Sequence, residues 1–103
     1  MNIDNKPMLE HLSALQVQGI FLMLYDWFSR SLLSLEDFSR FCNELLAYTR
    51  EDEMRTPDAL WAELEDVLDY AGDLSWYKKQ KNEISYENGM KEITSYIESL
   101  TNL

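Results

Sequence analysis

From Val17 onward the apolar residues Ile20, Phe21, Leu24, Tyr25 and Phe28 follow the i, i+3, i+4 spacing of one helical face. Leu22, Met23 and Trp27 widen that face, so the pattern predicts a central helix covered on several sides. Its start is expected near Pro7, since proline suits a first helical turn, and His11, Leu12 and Leu15 then belong to it. Gly19 either divides this helix or lies within it. A second helix is predicted from Ser34, with Asp37 three residues on as an acidic version of the capping box. Phe38, Phe41, Cys42, Leu45 and Leu46 form its stripe, and it is expected to fade near Thr49.

Arg50 to Arg55 reads as a charged connector. Thr56-Pro57 restarts a helix, with Thr as N-cap, Pro at the first position and Asp58 at the positive end. Leu60, Leu64, Val67, Leu68 and Ala71 face inward, with Trp61 at the edge. Gly72 is expected to weaken this helix near its end. Ser75 to Glu83 reads as a polar connector, holding Lys78, Lys79 and Lys81 beside Trp76 and Tyr77. Ser85 is the expected cap of a last helix, with Met90, Ile93, Ile97 and Leu100 as its buried stripe and Gly89 close to its start. Glycine and proline are scarce and alternating runs are few. The prediction is an all-α fold: a compact antiparallel bundle of four helices, or five if Gly19 breaks the first.

The 103 residues make one domain, 1–103, by the usual size of domains. Apolar content of 46% and aromatic content of 13% separate the chain from acidic disordered sequences, which lack bulky groups. A single cysteine, Cys42, excludes an internal disulfide and fits a reducing cytoplasm. Met1 to Pro7 has no basic region followed by an apolar run, so no secretory signal is expected. The longest dense apolar stretch, Ile20 to Tyr25, falls far short of the about 20 residues that span a membrane.

Charge changes the picture most. Between Glu51 and Asp73 lie nine acidic residues and one base, a net −8 in a chain of net −10. At 100° per residue, Asp58, Glu65, Asp66, Asp69 and Asp73 gather opposite the apolar stripe, with Tyr70 beside them. Net −10 opposes direct binding of DNA, RNA or anionic membrane, which carry the same sign. It favours a basic partner, steered in at long range and paired with carboxylates at contact. The plainer reading is a solvated helix side.

Other chemistry is thin. Glu36/Asp37 and Asp66/Asp69 are carboxylate pairs, but acid–base work needs burial to shift one pKa, and exposed helix faces offer none. His11 has no second His or Cys cluster near it in sequence, so no metal site is expected. No Gly-rich phosphate loop occurs, and no cofactor is implied. Cys42 sits in a core stripe and reads as a structural thiol. Trp76, Tyr77 and the three lysines form a nucleic-acid patch in miniature, in the wrong surrounding field. Those aromatics pack on the bundle or anchor an interface.

Three segments carry a resemblance. Leu35-Glu36-Asp37-Phe38-Ser39-Arg40 opens a helix with Cys42 soon after; Thr56-Pro57-Asp58 precedes the acidic helix Glu63 to Tyr70; Asn88-Gly89-Met90-Lys91-Glu92 leads into Ile97-Glu98-Ser99-Leu100. Their order and spacing, over about Tyr25 to Leu100, resemble the colicin D immunity family of bacterial self-protective immunity proteins. The chain departs from that pattern in a longer N-terminus, up to about Leu15, and in the basic, aromatic stretch around Trp76 to Lys81. The resemblance implies a compact helical protein that binds the nuclease domain of its own bacteriocin or the toxic C-terminal domain of a contact-dependent inhibition system. In the colicin D case it implies a tRNA-cleaving toxin, whose basic cleft is blocked by a mimic of the anionic tRNA backbone. No contact residue is carried over from the family.

The expected function is therefore a non-enzymatic, stoichiometric inhibitor of a cognate nuclease toxin. Glu65, Asp66, Asp69 and Asp73 are the expected contacts, with Tyr70 and Trp76 as aromatic anchors. Two rival classes remain: a phage-encoded acidic nucleic-acid mimic that disables a host DNA-binding protein, and a helical adaptor that binds through apolar grooves. A toxin gene immediately upstream separates the first rival; binding that survives high salt marks the second.

Overall fold

The computed structural model describes residues 13–51 and 59–101. They form four helices and no strand: α1 Ala14–Ser29, α2 Leu35–Glu51, α3 Ala59–Lys79 and α4 Glu83–Thr101. The expectations on Pro7, His11, Leu12, Asp52 to Arg55, Thr56-Pro57 and Asp58 lie outside the described residues.

α1 is opened by Ser13. Its Oγ accepts the Gln16 amide at 3.2 Å, and Gln16 Oε1 accepts the Ser13 amide at 2.8 Å, a reciprocal capping box. Gly19 does not break the helix, which runs through it to Ser29. A Cβ at Gly19 would meet no heavy atom within 4 Å. Gly19→Ala is therefore expected to stabilise the fold by about 0.5–1 kcal/mol, the cost of a helical glycine relative to alanine. Thermal melts of dilute protein check it; a lower melting point would mean the space is not open.

α2 begins after Ser34, whose Oγ accepts the Asp37 amide at 3.1 Å. It runs to Glu51, past the expected fade at Thr49. Phe38, Cys42, Leu45 and Leu46 are buried as the stripe predicts, but Phe41 is 37% exposed at its edge.

The main correction concerns α3. It does not end near Gly72; it continues to Lys79, so Trp76, Tyr77, Lys78 and Lys79 are helical and the connector is only 80–82. The extra turns are held by Leu74, which is fully buried, and by Lys78 and Lys79 at the negative end of the helix. The stop is made by Lys81 at φ 56°, with Lys81 N donating to the Lys78 carbonyl at 3.1 Å and Asn82 N to the Tyr77 carbonyl at 2.9 Å. α1 stops the same way, on Ser31 at φ 61°. α4 is capped by Asn82, whose Oδ1 accepts the Ser85 amide at 3.1 Å; Ser85 itself lies inside the helix.

One core joins all four helices: Phe21, Phe38, Leu64, Leu68, Leu74 and Ile93 are its largest fully buried side chains. Trp61, expected at the edge, belongs to it at 8% exposure. Cys42 is buried there, and burial pushes its thiol up to about 12, so it stays protonated and inert at neutral pH.

α3 packs most closely on α2 and then on α4. Its seam with α2 is polar and tight. Buried Ser39 donates to the Ala71 carbonyl at 2.8 Å and accepts the Ser75 amide at 3.1 Å. Asn43 donates to the Gly72 carbonyl at 3.1 Å, and a Cβ on Gly72 would collide with the Asn43 side chain. Gly72 thus serves close helix approach rather than helix ending. On the α4 side, a Cβ at Gly89 would stand 2.9 Å from Leu74. These two seams fix which face of α3 is left outward.

Candidate interaction face

The six residues picked out by sequence all lie on α3. Asp66, Asp69, Tyr70 and Trp76 are exposed; Glu65 and Asp73 are half-buried. Because α3 does not stop after Asp73, helical geometry carries Trp76 onto the line of Glu65 and Asp69 rather than into a loop. Trp76 is 60% exposed, a large apolar surface at the end of the acidic row.

The four carboxylates from Glu65 to Asp73 span eight residue steps, about 12 Å at 1.5 Å per residue. That is one negative charge per about 4 Å, close to the about 3.4 Å per charge along one DNA strand. Crowding shows in Asp73: partial burial, then the neighbouring Asp69 charge, raise its pKa above the ordinary value. Asp66, Asp69 and Asp73 have no ion-pair partner among the described residues.

A raised folded-state pKa means the folded chain holds that proton more readily than the unfolded one. The group's contribution to stability is then present at acid pH and lost as pH rises through the raised value. Asp73→Asn is therefore expected to keep or raise the melting temperature at pH 7, with the gain vanishing toward about pH 4. Melts across that range test it; a loss at pH 7 would assign Asp73 a stabilising contact.

The lysines flank the Trp76 end of this face. Lys79 pairs with Glu36 of α2 at 3.2 Å, and Lys78 sits 5.1 Å from the centre of the Tyr86 ring of α4. Lys79 thus lies on the α2 side of α3, where it lines a groove with Trp76, and Lys78 lies on the α4 side, where it lines another with Lys81.

Tyr70 stands apart from the row and opens onto a groove of about 280 Å³ between α3 and α4. There Glu63 and Asp66 face Glu92 and Tyr96. The Tyr96 hydroxyl accepts Gln18 Nε2 at 3.0 Å. Burial raises its pKa, the Gln18 bond lowers it and the Glu63 charge raises it. Sequence reasoning missed Glu92, because a wheel drawn for α3 alone cannot show a carboxylate supplied by α4. A second groove, of about 490 Å³, runs between α2 and α3 beside Trp76 and carries both signs through Glu36, Asp37, Arg40 and Lys79.

Among the described residues no group of His, Cys, Asp and Glu is arranged to hold a metal ion, and no helix is long and apolar enough to cross a membrane. The arrangement offers negative charge in a row, flanked by an exposed indole and a phenol. No protein-family model, curated protein or solved structure matches this chain.

Proposed function

We propose that this chain is an immunity-type inhibitor that occupies the basic cleft of a cognate nuclease toxin, by the resemblance a tRNase. The observation that carries the reading is the outward face of α3, where Glu65, Asp66, Asp69 and Asp73 run into Trp76 with no lysine or arginine among them. Its charge density is close to that of a nucleic-acid strand, so lysines and arginines that grip phosphates find carboxylates in their place. Tyr70 and Trp76 supply apolar anchors of the kind that dominate binding energy. Binding relieves the repulsion that Asp73 experiences from Asp69. The mechanism is occlusion, with no bond made or broken.

The test is co-expression with the proteins encoded beside this chain's gene, followed by capture and binding kinetics. A neighbouring toxin that co-purifies, loses its RNA-cleaving activity in the complex and associates more slowly as salt rises supports the proposal. Capture of a host DNA-binding protein instead would move the reading to a nucleic-acid mimic. A partner held equally at low and high salt would move it to an apolar adaptor.

A further inference from the structure

α1 presents an uncharged ridge to solvent. Leu15, Gly19, Met23 and Trp27 recur every four residues and all are exposed, the three side chains by 67%, 44% and 41%. Residues four apart form one of the ridges by which helices pack. The charges that border it, Asp26 and Arg30, pair with each other at 3.1 Å. Gly19 makes a notch, with no heavy atom within 4 Å of the place of a Cβ. Trp27, the bulkiest side chain of the ridge, lies as far beyond Met23 as Gly19 lies before it.

We propose that this ridge is a self-association surface on which a second copy of the chain docks, related by a two-fold axis at Met23. Each Trp27 then enters the Gly19 notch of the other copy, and Met23 meets Met23. A two-fold contact demands that one surface carry both the knob and its hole. The equal spacing of Gly19 and Trp27 about Met23 meets that demand. Such ridges pack with axes about 8–10 Å apart, a distance at which an added side chain at position 19 would compete with the indole.

Charge selects the same occupant. The chain carries −10, so two copies repel over most of their surface. At the ridge they meet without bringing unpaired carboxylates together. A basic partner gains nothing there. Leu15 to Trp27 spans about 18 Å, and Ile20 and Phe41 border an apolar groove of about 170 Å³ alongside. That is a contact at the small end of specific interfaces, which fits a micromolar, reversible dimer. The dimer leaves the acidic row of α3 open, so this inference stands or falls apart from the proposed function.

Sedimentation velocity of the full chain across the micromolar range tests it. The expected result is a monomer–dimer equilibrium that tightens above about 0.15 M salt, as screening removes the mutual repulsion. Met23→Lys places like charges on the axis, and Gly19→Leu fills the notch. Both positions are exposed, so dilute melts and helix content should hold, while each dimer weakens at least tenfold. A wild-type monomer throughout would overturn the proposal. So would a dimer indifferent to both variants, or a ridge whose Met23→Lys change weakens binding of the captured partner rather than self-association.

Discussion

Asp69→Lys combined with Asp73→Lys should weaken binding of the basic partner at least tenfold while leaving the fold intact or slightly more stable. Close charge pairs at such interfaces couple by about 1.5–7 kcal/mol. Reversing two of them replaces attraction by repulsion, and about 1.4 kcal/mol already makes a decade in affinity. The stability side has three supports. Asp69 and Asp73 repel each other in the free protein. Lysine is the better helix former. Both positions turn away from the buried Leu64, Val67, Leu68 and Ala71, so neither change touches the core. Binding kinetics at low and high salt, with a melting curve for each protein, provide the measurement. A double variant that melts normally and still binds and protects like the wild type would reduce the acidic row to a solvated surface.

Phe38→Ala should cost the fold about 3–5 kcal/mol, a typical loss for a buried phenylalanine. Phe38 is fully buried, and three rings of α1 surround it. Phe28 stacks on it at 4.7 Å between centroids, with Phe21 at 6.2 Å and Tyr25 at 6.3 Å. The α1–α2 contact is small beside the contact of α2 with α3, so this ring cluster does much to hold α1 in place. Against a usual total of about 5–15 kcal/mol, the loss brings the protein close to unfolding. The melting temperature should fall by about 12 °C or more. A melt within a degree or two of the wild type would contradict the packing described here.

The helical class, the four apolar stripes and the acidic side of α3 were legible in the sequence. Each depends on local periodicity: 3.6-residue spacing places Leu64, Val67, Leu68 and Ala71 inward and Asp66, Asp69 and Asp73 outward whatever the helix packs against. The Ser34 cap was legible for the same reason, since a hydroxyl three residues before an amide acts locally.

Helix ends without glycine were not legible. Ser31 and Lys81 adopt the left-handed conformation that glycine usually marks, so neither stop has a sequence sign. Gly72, which does look like a stop, is a contact point instead, because Asn43 and Ser39 on α2 reach the α3 backbone there. Only packing decided that, and with it the length of α3. The length in turn set the site: one more buried turn, anchored by Leu74, moves Trp76 from a loop onto the acidic row. The placing of Glu92 around one groove with Glu63 and Asp66 likewise needed α4 to fold back on α3. The sequence by itself determined which residues turn away from the core, because periodicity is local. The tertiary structure decided how far each helix runs and which outward residues share a surface, because both depend on contacts between residues distant along the chain.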